Sequence, residues 1–155
     1  MKNTFQSENI FYVSFIPPSK ANRVKINSRI YSRTGKRYII PKSVSVKINR
    51  VIWELQKQNE KKKLFFSEPV YVDITFILPN RRRRDLDNIM KTLGDCLVYA
   101  GIIEDDNLIY KQTLEKIVVK GEEGVVIKIN RYNPEEGRDF LLKLENLKKY
   151  KKDGF

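Results

Sequence analysis

The most regular pattern in the chain is an alternation of apolar and other residues over residues 70–78. A period of two places alternate side chains on the same face of a strand, so this stretch predicts a strand with one apolar face. Residues 10–16, 108–119 and 125–129 are rich in aromatic and β-branched residues and predict three more strands. Glycines bound the turn between the last two strands, which we therefore expect to form an antiparallel hairpin.

Three stretches carry apolar residues at helical spacing. The first follows Pro41 and predicts a helix that frays near Asn59. The second covers residues 88–100 and ends at Gly101. The third begins at Pro134 and ends in lysines. Together the elements predict an α+β fold, with a single mixed sheet of about four strands and helices packed against it.

Length and charge narrow the picture. The 155 residues suit one domain, and 31 lysines and arginines against 19 acidic residues give a net charge of +12. We expect residues 1–132 to form the main unit and residues 133–155 a basic helical extension of the same domain. The positive charge favours a polyanionic partner, although an ordinary basic domain is an alternative reading of charge alone.

Two rare residue types exclude several kinds of chemistry. The chain has no histidine, and Cys96 is its only cysteine. Histidine general bases, Cys/His zinc sites and intrachain disulfides are therefore excluded. Cys96 lies on the apolar face of the second predicted helix, so we expect a core residue. No apolar run is long enough to span a membrane, and none has the form of a signal peptide, so a cytoplasmic protein is expected.

Residues 20–37 are polar and strongly basic, and they predict a long loop with a short hairpin at Gly35. Long basic loops in small domains are usually functional or mobile, so Lys20, Arg23 and Lys25 are candidates for binding a polyanion such as DNA. A solvated loop without contacts is the alternative.

The densest chemistry lies in residues 81–106, RRRRDLDNIMKTLGDCLVYAGIIEDD. If the chain stays extended after the preceding strand, Asp85 and Asp87 point to one side and Leu86 points to the core. Lys91 lies four residues after Asp87, on the same side of the helix that follows. Carboxylate pairs suit a hard divalent cation. Arginines suit phosphates, and four of them precede Asp85: Arg81, Arg82, Arg83 and Arg84.

Each of these residues also has a structural interpretation. Asp87 could serve only as the N-cap of a helix beginning at Asn88, Asp105 and Asp106 as turn residues, and Lys91 as a surface partner of an acid. An EF-hand loop does not fit, because no glycine occupies the required turn position.

The same stretch resembles the RusA family of Holliday junction resolvases from bacteria and their phages. The resemblance rests on RRRRDLDN, the lysine three residues later, the D-x-L-x-x-A-G ending and the paired aspartates. It implies magnesium-dependent nicking of four-way DNA junctions by a homodimer, in recombination and repair, with manganese as a possible substitute. Its metal ligands fall on Asp85, Asp87 and Asp106, with Asp105 in reserve, and its catalytic lysine falls on Lys91.

Two alternatives stay open at this stage. One is a junction- or DNA-binding protein without catalysis, and the other is a metal-dependent nuclease for another branched DNA. A protein that only binds DNA has no need of clustered carboxylates, which repel phosphate unless a cation intervenes.

The predicted site requires Asp87 and Asp106, at opposite ends of the helical segment, to come close together. A helix over residues 88–100 is roughly 20 Å long, whereas the chain from Gly101 to Asp106 spans at most about 17 Å. Residues 102–106 must therefore run back along the helix to approach Asp87, or a second subunit must complete the site. We predict the return path within one subunit.

Overall fold

The computed structural model describes residues 9–19, 25–26, 38–39 and 41–154. Its strands are β1 Ile10–Val13, β2 Lys25–Ile26, β3 Tyr38–Ile39, β4 Val70–Leu78, β5 Ile109–Val118 and β6 Gly124–Arg131. Its helices are α1 Lys42–Lys62, α2 Leu86–Tyr99 and α3 Arg138–Gly154, with short 3₁₀ turns at Asp106–Leu108 and Pro134–Gly137.

Four strands form one mixed sheet in the order β1-β6-β4-β5. β4 pairs parallel with β5 and antiparallel with β6, so that Ile74 faces Leu114 on one side and Ile127 on the other. The side chains of Val70, Val72, Ile74 and Phe76 are completely buried, as the alternation along this strand predicts. The predicted α+β fold with a single mixed four-stranded sheet is therefore confirmed.

The predicted hairpin between the last two strands is wrong. β5 and β6 run in opposite directions, but β4 lies between them. The Val119 N–H donates to the Leu78 carbonyl at the end of β4 (2.9 Å), and β6 then begins on the other side of β4 with Gly124 opposite Ile77. This crossing covers two strand spacings, about 10 Å, and gives the most apolar strand a neighbour on both sides.

The two long helices supply the rest of the core. α1 buries Val44, Ile48, Val51 and Leu55. α2 buries one apolar face and contacts α1, and the buried Cys96 on that face confirms the core prediction.

α1 is longer than predicted, and its C-terminal end shows why. Instead of fraying, the helix continues past Asn59 to Lys62, and Lys63 adopts a left-handed conformation with φ of 51°. The Asn59 side chain accepts from the Leu64 N–H at 2.9 Å and donates to the Leu64 carbonyl at 2.9 Å. A side chain thus satisfies backbone groups just beyond the helix end.

The two ends of the chain carry the remaining predictions. β2 lies within the predicted basic loop and pairs antiparallel with β3, which directly follows the loop. Lys20, Arg23 and Gly35 lie outside the described residues. The predicted terminal helix is present as α3, where Leu147 is 49% exposed. The division at residue 132 stays a prediction. In the described ranges, no helix is long and apolar enough to cross a membrane.

Candidate active site

The N-terminal end of α2 differs from the prediction. The helix begins at Leu86, and Asp85 is its N-cap in an extended conformation. The Asp85 carboxylate accepts from the Asn88 backbone N–H at 3.3 Å and from the Asn88 side-chain amide at 2.7 Å. The predicted cap at Asp87 and the extended path through both aspartates are therefore wrong. Asp85 satisfies a free N–H of the first turn, and Asp87 gains from the positive end of the helix dipole.

One face of α2 forms a wall of an open cavity of about 640 Å³. Asp87, Lys91 and Gly94 lie four and three residues apart, which places them in line on that face. Asp106 lies on the facing wall, at the 3₁₀ turn that precedes β5. We call this space the carboxylate cavity, and its other lining residues are Met90, Ile109, Tyr110 and Gln112.

Asp106 reaches the cavity because the chain turns back after α2. Gly101 adopts a positive φ of 74°, a conformation that favours glycine. The Phe66 N–H then donates to the Ile102 carbonyl at 2.9 Å, and Ile102 and Ile103 are buried. A Cβ atom added to Gly94 would lie 3.8 Å from the Asp106 Cβ. Residues 102–106 therefore follow the predicted return path within one chain.

The two neighbouring aspartates have different positions. Asp105 caps the 3₁₀ turn, and its side chain accepts from the Asn107 N–H at 2.9 Å. Asp106 lines the carboxylate cavity. A hydrogen bond with Asp105 raises the pKa of Asp106, and the negative charges of Asp105 and Asp95 act in the same direction. The two adjacent carboxyl groups thus form a spot where positive charge is favourable.

The carboxylate oxygens in the cavity suit a hard cation, although they do not surround it. In the described part of the chain, no three acidic or cysteine side chains are placed to hold one metal ion. Asp87 and Asp106 share the carboxylate cavity, whereas Asp85 is occupied with Asn88 and does not line it. Magnesium commonly takes one or two carboxylates and completes its shell with water and substrate phosphate. An open cavity with two carboxylates fits that preference.

The predicted arginines lie next to this cavity. Arg81, Arg82 and Arg83 are exposed, and Arg84 is partly buried. A second open space, which we call the arginine cavity, is lined by Arg83, Arg84, Asp85, Leu86 and Asp87. It shares Asp87 with the carboxylate cavity, so cationic and acidic groups form adjoining surfaces. Of the other predicted DNA-binding residues, Lys25 lies in β2 and Lys20 and Arg23 lie outside the described residues.

Two wall residues were missed by sequence reasoning. Tyr110 and Gln112 line the carboxylate cavity from the start of β5. Tyr110 is 64% exposed, and its ring lies 5.6 Å from that of Tyr132. Tyr110 and Gln112 are two residues apart and begin four residues after Asp106, and this spacing was the available signal, because alternate residues of a strand share a face.

Comparison with known proteins identifies the family. The sequence model of the family described as Endodeoxyribonuclease RusA matches residues 16–130. This chain belongs to the RusA family. It is 40% identical over 121 residues to the crossover junction endodeoxyribonuclease RusA of Aquifex aeolicus (strain VF5), covering 78% of this chain and 90% of that relative. It is 34% identical over 76 residues to the crossover junction endodeoxyribonuclease RusA of Enterobacteria phage HK97, covering 49% of this chain and 62% of the phage protein.

Membership confirms the predicted resemblance and the predicted enzyme class, an endodeoxyribonuclease. The RusA match includes α1, α2, β4 and β5 and therefore both cavities. It ends before α3, which begins at Arg138.

Proposed function

We propose that this protein is a magnesium-dependent endonuclease that resolves four-way DNA junctions by paired, symmetric nicks. One observation carries the proposal: Asp87, Lys91 and Asp106 line one open cavity, and the arginine cavity adjoins it through Asp87. The names of the two relatives, both crossover junction endodeoxyribonucleases, support the junction as substrate. Such an enzyme acts in recombination and repair, in the cytoplasm of a bacterium or in a phage-infected cell.

Asp87 and Asp106 are the proposed cation ligands in the carboxylate cavity. Magnesium bound there would supply Lewis acidity and a water of lowered pKa, and manganese is a possible substitute. Asp85 is a proposed third ligand, and to reach the cation its carboxylate has to release Asn88, with which it forms a 2.7 Å hydrogen bond. Asp105 stays in reserve, since its side chain caps the 3₁₀ turn.

Lys91 is the proposed stabiliser of the phosphate in the transition state. It lies on the same face of α2 as Asp87, and its side chain is exposed at the rim of the cavity. A fixed positive charge stabilises the extra negative charge that develops on phosphate during attack. With no histidine in the chain, a lysine or an arginine has to provide such a charge where the cation does not.

The arginines are proposed to hold the DNA backbone beside the reacting phosphate. Arg83 and Arg84 open into the arginine cavity, and Arg81 and Arg82 are exposed just before it. Arginine forms bidentate hydrogen bonds with phosphate and keeps its charge at all working pH values. Lys20, Arg23 and Lys25 are proposed to extend this contact along the strand.

Two symmetric nicks require two sites, so we propose a twofold homodimer. The outer edge of β5 supports this: β5 is the last strand of the sheet in the described residues, and Tyr110, Ile117 and Val118 are exposed along it. A long edge strand with apolar side chains is open to pairing with another strand. Light scattering of the purified protein would give the mass directly, and a monomer that still cuts both strands would contradict the dimer.

Cleavage of a labelled synthetic four-way junction tests the function. We expect paired nicks in the junction with magnesium, none with chelator, and little cutting of linear duplex of the same sequence. Flap and fork substrates belong in the same experiment, because preferential cutting of either would assign the enzyme to another branched DNA. Tight junction binding without cutting in magnesium or manganese would contradict the catalytic proposal.

A further inference from the structure

A third cavity, of about 360 Å³, adjoins the arginine cavity, and neither Asp87 nor Asp106 lines it. Three separate segments of the chain contribute side chains to its lining. Ser19 lies in the segment after β1, Lys47 projects from α1, and Arg84 precedes α2. Because these residues come from separate elements, the cavity exists only once the sheet and both helices have packed together.

Two polar atoms in this cavity have no partner. The Ser19 hydroxyl oxygen and the Arg84 Nη1 atom are both buried, and neither makes a hydrogen bond to any described part of the chain. Buried polar groups without partners are rare, because their lost hydration is not replaced. Two such atoms lining one cavity point to a ligand that accepts hydrogen bonds from both.

The acidic residues at the cavity do not compensate for these donors. Glu123 Oε1 accepts from the Ile16 backbone N–H at 2.9 Å. Asp85 directs both of its oxygens to Asn88. The lining carries four cationic side chains, Lys47, Arg82, Arg83 and Arg84, against the two carboxylates of Asp85 and Glu123, so positive charge is in excess beside the Ser19 hydroxyl. That set recognises an anion with several oxygen acceptors.

The position of the cavity beside the other two favours a DNA phosphate over other anions. It shares Arg83, Arg84 and Asp85 with the arginine cavity, which in turn shares Asp87 with the carboxylate cavity. The three spaces thus follow one another along the surface, as successive phosphates of one strand would. We propose that Ser19, Lys47 and Arg84 form a phosphate seat, which holds a backbone phosphodiester of the bound DNA away from the one that is cut.

The seat deepens the proposed function and rests on it. A phosphate held at a fixed distance from the reacting one sets the register of the strand in the carboxylate cavity, because backbone contacts position a nucleic acid without reading its sequence. The seat is also a binding device, so its removal weakens DNA binding at any sequence.

Substitutions at the seat test it by binding, measured as anisotropy of a labelled junction with chelator present. Lys47→Gln is expected to reduce the slope of log affinity against log salt by about one. Ser19→Ala is expected to weaken binding about threefold to tenfold without changing that slope, since it removes a hydrogen bond and no charge. Lys61→Gln is the matched control, because it removes the same charge from the exposed C-terminal end of the same helix. Unchanged affinity in both seat variants would overturn the proposal.

Replacing single DNA phosphates by uncharged linkages identifies the phosphate that the seat binds. Single methylphosphonates are placed along each junction strand, and binding is compared between the wild-type protein and the double variant Ser19→Ala, Lys47→Gln. We expect one linkage per arm that weakens wild-type binding and leaves the double variant unaffected. Equal sensitivity of both proteins at every linkage would overturn the assignment.

Inorganic phosphate distinguishes a free anion from DNA. If millimolar phosphate raises the thermal midpoint of the wild type and not of the double variant, while both bind the junction equally, the cavity binds a free anion and the DNA assignment is overturned. These measurements involve no cleavage. Absence of junction cutting would therefore contradict the proposed function without contradicting the phosphate seat. Unchanged DNA binding in the seat variants, together with normal cutting, would contradict the seat without contradicting the proposed function.

Discussion

The carboxylate cavity and the phosphate seat both border the arginines, but they are built over different distances in the sequence. Asp87, Lys91 and Gly94 belong to one helix face, and Asp106 follows within the same βαβ unit. Ser19, Lys47 and Arg84 come from three separate elements. The first is set by helical periodicity and one turn, whereas the second depends on how β1, α1 and α2 pack. Because the first contains the proposed cation ligands and the second contains the proposed phosphate-binding donors, we expect the first to govern the rate of cutting and the second to govern binding.

The largest effect is expected at the acidic residues of the carboxylate cavity. Asp106→Asn and Asp87→Asn keep the side-chain shape and remove a charge, so junction cleavage should fall by about 10³-fold, at the upper end of single-site catalytic losses. Binding measured with chelator should be unchanged or slightly tighter, since phosphate meets less negative charge. Single-turnover cleavage at saturating protein separates the two effects.

Glu104→Gln is the control for that prediction. It removes one negative charge from an exposed side chain two residues before Asp106, outside the cavity lining. A loss of cleavage in Glu104→Gln as large as in Asp106→Asn would show that general charge, and not the cavity, sets the rate.

Lys91→Ala should have the next largest effect. Loss of a charge that stabilises the transition state typically costs about 10²-fold in rate, and affinity should fall much less. Lys120→Ala, an exposed lysine in the β5–β6 connection, is the control. Equal losses in affinity and in single-turnover rate would show that Lys91 binds DNA and does not specifically stabilise the transition state.

Gly94 tests how closely the return path approaches α2. An added Cβ would meet Asp106 at 3.8 Å, an ordinary contact. Gly94→Ala should therefore keep activity and stabilise the fold by about 0.5–1 kcal/mol through helix propensity. Gly94→Leu should displace Asp106 and slow cleavage at least tenfold, by an estimate of about 10²-fold per 1 Å of misplacement. Full activity in Gly94→Leu would show that Asp106 works elsewhere.

The smallest effect is a stability difference at Asp85. Asp85→Ala removes the N-cap of α2 and should lower the free energy of unfolding by about 1 kcal/mol, whereas Asp85→Asn keeps a capping oxygen and should lower it little. Urea unfolding of both variants measures this. If Asp85→Asn is stable and inactive, Asp85 also acts in the reaction, and if it is active, its part is confined to the cap.

The sequence predicted what depends on short-range periodicity. Alternation along β4 predicted a strand with one apolar face, and the apolar face of α2 placed Cys96 in the core. The length of the chain after Gly101 left two possibilities, a return path or a site shared between subunits, and the predicted return path is accompanied by the pairing of Ile103 with Phe66. The assignment of Asp85, Asp87, Asp106 and Lys91 to one site came from the family resemblance, and three of these four residues line the carboxylate cavity.

The failures share a different cause. The β5–β6 hairpin was inferred from a turn between two strands, but burial of β4 between two neighbours outweighed that local signal. The start of α2 was misplaced because Asp85 and Asp87 are both acceptable caps. In addition to the backbone cap bond, the Asn88 side-chain amide donates to the Asp85 carboxylate at 2.7 Å, so Asp85 makes two hydrogen bonds as the N-cap. That Ser19 and Arg84 line one cavity could not be predicted, because it depends on the packing of distant elements.

Whether one chain builds the carboxylate cavity is tested most directly by a mixed dimer of Asp87→Asn and Asp106→Asn subunits. The two chains are co-expressed with different tags, purified through both, and assayed on a four-way junction in magnesium. If each cavity belongs to one chain, both cavities carry a substitution and the mixed protein stays as inactive as either parent. Recovery of single-strand nicking, far above both parents, would show that the two aspartates come from different subunits and would contradict the return path as the means by which the site is completed.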